Sequence, residues 1–254
     1  MNRKTIFALL LTVSLVAVSC KSHYQMTGIE RSRILIDSRY DANPDAAARA
    51  FIAPYKHVVD SMMSPVLGAT ARYLEKGRPE SGLSNALTDV LIWAAQRFNE
   101  KPDFAVYNMG GMRAALAEGK TTYGDIIEVA PFENKICFLT LKGSSVLELF
   151  KQIAHRMGEG VSHGVELIIS PDGRLLSACL NGEEIDPNRE YRVATLDYLS
   201  QGNDGMPAFK DGYNLVSPQS EENNVRYFIM DYFRDQYAQG KAVDGKVEGR
   251  IVIK

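Results

Sequence analysis

Histidine and cysteine are scarce in this chain, and neither is arranged for chemistry. The four histidines, His23, His57, His155 and His163, are scattered, and none stands at ligand spacing with a carboxylate cluster. No Gly-x-Ser-x-Gly elbow and no Gly-Lys-Ser/Thr phosphate loop occurs. The residues offer no catalytic nucleophile and no metal-ligand set, so no catalytic or metal residue is assigned and no cofactor is expected in this chain. With a net charge of −2, nothing electrostatic points to a nucleic-acid polymer or an anionic lipid surface as partner. Internal repeats and low-complexity tracts are also missing.

What is present suits one ordinary globular domain. The 254 residues are 45% hydrophobic and 24% charged, enough to bury a sizeable core. The N-terminus is set apart: Asn2-Arg3-Lys4 is positive, and Ile6 to Val18 is apolar. That run is shorter than the roughly 20 residues of a membrane span and reads as a secretory signal. It ends at Ala17-Val18-Ser19-Cys20. A cysteine after small residues resembles the lipobox of bacterial lipoproteins, although Ala17 stands where leucine is usual. The expectation is a signal over 1–19, lipidation at Cys20, a polar tether over 20–44, and a cell-envelope location through a membrane anchor. Cys137 and Cys179 both lie in apolar runs and read as buried thiols, with a disulfide the less favoured choice.

Periodicity predicts a helix from Asp45 to about Met63, stopped by Pro65, and a first strand within Val66–Leu74. Ser81 is the expected N-cap of a helix to about Phe98. Strands follow at 104–108 and 136–141, and Ser145 to Glu148 reads as a capping box for a helix to about Met157. Val165–Ser170 and Leu175–Leu180 form a predicted hairpin, with a second tight turn at Asn181-Gly182. A strand over Tyr191–Leu199, a helix over about Glu222–Ala238 and a strand over Val247–Ile253 complete the pattern. Hairpins mixed with helices predict an α+β fold as a single domain over 45–254.

Three motifs stand out, each expected where a strand empties into a loop. Asn-Met-Gly-Gly-Met-Arg at 108–113 carries Asn108, Gly110, Gly111 and Arg113. Pro-Phe-Glu-Asn at 131–134 carries Phe132 and Asn134. Asp-Tyr-Leu-Ser-Gln-Gly-Asn-Asp-Gly at 197–205 carries Tyr198 and Asp204. Two glycines let backbone approach a ligand closely, and arginine presents paired planar donors. Two aromatics at loop mouths fit a stacking clamp for a flat base, and an aspartate can accept from two vicinal hydroxyls. Taken singly, each has a plainer reading: a Gly-Gly turn, packing aromatics, an Asp-Gly turn.

Together the segments YNMGGMR (107–113), TTYGDIIEVAPFEN (121–134) and ATLDYLSQGNDG (194–205), preceded by ESGLSNALTDVL (80–91), resemble the C-terminal domain of 5′-nucleotidases and UDP-sugar hydrolases. The resemblance runs in order over about residues 45–254. It implies a four-layer α/β/β/α domain that binds substrate. It also implies that Phe132 and Tyr198 stack the base, Tyr198 replacing a usual phenylalanine. Asn108, Arg113, Asn134 and Asp204 are expected on base or ribose, with Arg78 added from the arginines that precede the opening helix. The family's dimetal phosphoesterase motifs are absent here. The expectation is therefore a lipid-anchored recognition half, inactive alone, whose divalent metals belong to a separate phosphatase chain. A stand-alone nucleoside-binding module and a scaffold with a decayed site remain the alternatives.

Overall fold

The computed structural model describes residue 2 and residues 24–254. The proposed signal segment and Cys20 lie outside the described residues. The chain divides into two units, residues 1–51 and 52–254. In the first, a short 3-10 turn at Ser38–Tyr40 is capped by Asp37. The first long helix, α1 (Ala46–Met63), begins where Asp45 accepts from the amides of Ala47 and Ala48, which answers the unpaired donors of a helix N-terminus. It spans the predicted residues, yet Ile52, Val58, Val59 and Met62 on it are exposed.

The second unit holds the core. Strand β1 (Val66–Thr70) pairs antiparallel with β3 (Gly119–Thr122). A five-stranded sheet has the order β10 (Tyr213–Val216), β4 (Ile136–Lys142), β9 (Glu190–Leu196), β2 (Phe104–Tyr107) and β5 (Gly160–Val161). A four-stranded sheet has the order β11 (Ile251–Ile253), β6 (Val165–Ile169), β7 (Leu175–Leu180) and β8 (Glu183–Glu184). Most ladders are antiparallel, so the α+β expectation holds.

Strands β2 and β9 are buried almost throughout, as strands covered on both faces must be. In register, Phe104 pairs with Val193 and Phe138 with Ala194. Alternation puts the two phenylalanines on opposite faces. Phe104 packs on Phe150 of α4 (Gly143–His155), 5.3 Å between centroids. Phe138 packs on Phe98, which also meets Phe228 of α6 (Val225–Ala238). Helices therefore cover both faces of the five-stranded sheet. On the Phe98 side lies α2 (Gly82–Ala95), opened by the predicted Ser81 cap in a reciprocal box with Ser84.

Four boundaries differ from the sequence expectation, three of them through hydrogen bonds to residues distant in the chain. Helix α4 starts at Gly143, two residues before the expected box. The Gly143 and Ser144 amides donate to the carbonyls of Arg189 and Pro187, so no side-chain cap is needed, and Ser145 Oγ turns to Asp211. Strand β9 stops at Leu196, where the Asp197 carboxylate accepts from the amides of Lys135 and Tyr198 and bends the chain into a helical turn, α5 (Asp197–Ser200). Strand β11 starts only at Ile251, because Glu80 holds the amides of Glu248 and Gly249. Helix α6 starts at Val225 after a 3-10 turn at Glu221–Asn223. Helix α3 (Tyr123–Val129), opened by a Thr122–Asp125 capping box, was not expected. Both Cys137 and Cys179 are free, and burial pushes the Cys137 thiol up to about 11.

A buried cation fastens the C-terminal strand. Arg250 donates to both carboxylate oxygens of Asp89, at 2.8 and 2.7 Å, and to the Val161 carbonyl, and it pairs with Glu248 at 2.9 Å. Its side chain is 5% exposed, while Asp89 and Glu248 keep 36% and 39%. Arg250→Ala is expected to lower the unfolding free energy by about 2–3 kcal/mol, less than for a fully buried pair because both partners still reach water. Urea denaturation with an unchanged slope is the measurement.

Candidate functional site

The ladder of the five-stranded sheet decides where the three motifs meet. Strands β2 and β9 run parallel, and β4 runs antiparallel to β9 with Ile136 opposite Leu196. The ends of β2 and β9 and the start of β4 therefore lie along one edge of the sheet. The first and third motifs follow their strands, as expected. The second does not: Pro131–Asn134 leads from α3 into β4, and it reaches the same edge because β4 is reversed.

Each segment is locally braced. Asn108 closes β2 in extended backbone, and a 3-10 turn follows at Met109–Gly111. A Cβ on Gly111 would lie 2.8 Å from Asn108 Oδ1 and 2.9 Å from the Tyr107 ring, so this position admits only glycine without displacement. Arg226 donates to the Pro131 carbonyl, and Val225 donates to the Asn134 carbonyl. Asn203 Nδ2 donates to the Tyr198 carbonyl. Asp204 sits in the left-handed region at φ 53°, a conformation that aspartate tolerates better than most residues.

The result is a cavity of about 320 Å³ lined by Asn108, Gly110, Gly111, Arg113, Phe132, Asn134, Tyr198 and Asp204. All eight residues come from the three motifs. Phe132 and Tyr198 are 48% and 38% exposed, and both line the cavity. The Arg113 guanidinium lies 6.0 Å from the Phe132 ring centre, within range of a cation–π contact. Asp204 Oδ2 accepts from Asn108 Nδ2 at 2.5 Å, and Asp204 Oδ1 accepts from the Tyr198 hydroxyl at 3.0 Å. Asn108 is 4% exposed, and its Oδ1 has no hydrogen-bond partner. A buried, unpaired acceptor is costly.

Arg78 is not among the lining residues. It stands in an adjoining cleft of about 410 Å³ that shares Gly110 and is otherwise lined by Lys76, Gly77, Met109 and Arg156. Sequence reasoning missed what organises this cleft. The Glu159 carboxylate, fully buried, accepts from Arg78 Nη2 at 2.5 Å and Arg156 Nε at 2.7 Å. It also accepts from the Met109 amide. One buried carboxylate thus serves two arginines and the backbone of the first motif, leaving the cleft net cationic. Nothing in a Gly-Glu-Gly loop distinguishes such a glutamate from a surface one. Among the described residues no group of three or more His, Cys, Asp or Glu is placed to hold a metal.

A family model described as 5′-nucleotidase, C-terminal domain, matches residues 63–211, more than half of the chain and all three motifs. The chain belongs to this family. It is 27% identical over 169 residues to Protein UshA of Escherichia coli, covering 65% of this chain and 31% of that protein. A 5′-nucleotidase of Vibrio cholerae is 24% identical over 212 residues, covering 82% of this chain and 38% of the relative. Among solved structures, a 5′-nucleotidase precursor from Thermus thermophilus superposes with a TM-score of 0.70 at 26% identity, covering 82% of this chain and 43% of that one. The mixed α/β fold of the family's C-terminal domain is thus the fold found here. The chain spans about a third of the length of these curated relatives.

Glu159→Ala is expected to cost about 2–3 kcal/mol of stability, because two arginines lose a shared buried partner while both still reach water. It should also release the Met109 amide, so that its hydrogen exchange accelerates more than that of the β4 amides. Both follow from denaturation and amide exchange of the variant.

Proposed function

We propose that this chain is the nucleoside-recognising half of a 5′-nucleotidase-type hydrolase in nucleotide catabolism or scavenging. The supporting observation is the cavity in which all three motifs converge, with two half-exposed aromatics and polar groups at hydrogen-bonding range of one another. The base lies between Phe132 and Tyr198, each face contributing ~1–3 kcal/mol. Asn108 Oδ1 and the Asn134 amide read the base edge, while Arg113 and Asp204 take the ribose. The adjoining cleft of Lys76, Arg78 and Arg156 favours the anionic end of the ligand.

Hydrolysis needs a separate dimetal phosphatase chain, to which the bound nucleotide is presented. The described residues contain no metal-ligand cluster. Catalysis in such a pair rests on positioning the phosphate in the partner's metal site. A stand-alone nucleoside-binding module shares every feature of this cavity and differs only in lacking the partner.

Calorimetric titration with adenosine, uridine and their monophosphates tests the reading. Binding is expected, and Phe132→Ala should weaken it by about 1–3 kcal/mol. An unchanged affinity in the variant overturns the clamp. The pure chain with added divalent metal should not hydrolyse nucleotides, and turnover at enzymatic rates contradicts the division of labour.

The location proposed is the bacterial envelope, with lipid on Cys20 and residues 20–44 as tether. Cys20→Ser should move the protein from the membrane fraction to the soluble fraction; retention in the membrane would refute the anchor.

A further inference from the structure

We infer that Tyr198 is a positioning residue for Asp204 as well as a stacking face, and that the pair makes the cavity select a ribose bearing both hydroxyls. The inference rests on the nucleoside reading above. A phenylalanine at 198 presents the same apolar face to a base, so stacking does not explain the hydroxyl. What the hydroxyl does in this fold is donate to Asp204 Oδ1 at 3.0 Å. On the other oxygen, Asn108 Nδ2 donates to Oδ2 at 2.5 Å. Each carboxylate oxygen therefore carries one protein donor, one from the end of β2 and one from the turn after β9.

An ionised carboxylate offers about four acceptor positions. Two are filled here, one on each oxygen, which leaves one on each oxygen. A vicinal diol brings two donors at matching spacing, one for each. The carboxylate lies in a short loop between Gly202 and Gly205, both in the left-handed region, and the bonds that brace the loop backbone do not themselves set the plane of the carboxylate. Two donors hold its plane before the ligand arrives, which removes an ordering cost from binding. The hydrogen bond to Asp204 also raises the Tyr198 pKa above the ordinary phenol value. A sugar lacking the 2′-hydroxyl leaves one oriented acceptor unanswered, and sites built to bind a hydroxyl discriminate against its absence.

The test is calorimetry of the whole chain and of Tyr198→Phe with adenosine and 2′-deoxyadenosine, after thermal unfolding has shown the variant folded. The wild type is expected to bind adenosine about tenfold more tightly than the deoxynucleoside. In Tyr198→Phe the stacking face survives, so 2′-deoxyadenosine affinity should stay within about twofold. Adenosine affinity should fall about three- to tenfold, erasing most of the selectivity. Equal loss for both ligands makes Tyr198 a stacking residue only and overturns the inference. Unchanged affinities, or tighter adenosine binding in the variant, overturn it too, the latter showing that the hydroxyl competes with ribose for the carboxylate. A wild type that binds neither nucleoside overturns the nucleoside reading itself, which separates that failure from this one.

Discussion

The pairing of β9 with β2 on one side and β4 on the other is the constraint on which the cavity depends. One parallel and one antiparallel ladder bring two strand ends and one strand beginning to the same edge. Reversing either direction would carry Phe132 or Tyr198 to the far end of the sheet. The ladder is buried on both faces, with Phe104 against α4 and Phe138 against the α2–α6 side, so the register is fixed by packing as well as hydrogen bonding. A rigid sheet edge carrying short loops is the arrangement that lets loops bind without losing geometry.

On that edge two carboxylates do different work. Glu159 is buried and pairs with Arg78, Arg156 and the Met109 amide, so its role is to hold one loop against the rest. Asp204 is partly open to water and joins Tyr198 to Asn108, which lies 96 residues before the carboxylate in the chain. The first makes the cleft wall stable. The second ties two of the cavity's segments together and leaves an acceptor position on each of its oxygens.

Much of this was legible in the sequence. The apolar run Phe104–Tyr107, the Ser81 cap and the Asn181-Gly182 turn each rest on local chemistry, and each appears where expected. The eight cavity residues were legible as motif members because glycines, an arginine and aromatics gathered in short polar segments stand out from the surrounding pattern. Long-range hydrogen bonds were not legible. The capping box expected at Ser145 is replaced by carbonyls from Pro187 and Arg189, and β9 ends early because Asp197 captures the Lys135 amide. Glu159 went unnoticed for the same reason: its meaning lies in partners 50 and 81 residues away.

Most element types and the family membership were settled by the order of residues along the chain, since helix caps, turn residues and motif composition act within a few neighbours. Three other facts belong to the folded molecule. Phe132 reaches the cavity from ahead of its strand, Arg78 belongs to an adjoining cleft, and Tyr198 and Asp204 act as a pair. Each depends on strand direction or on side chains packed together by the fold, and no local pattern carries that information.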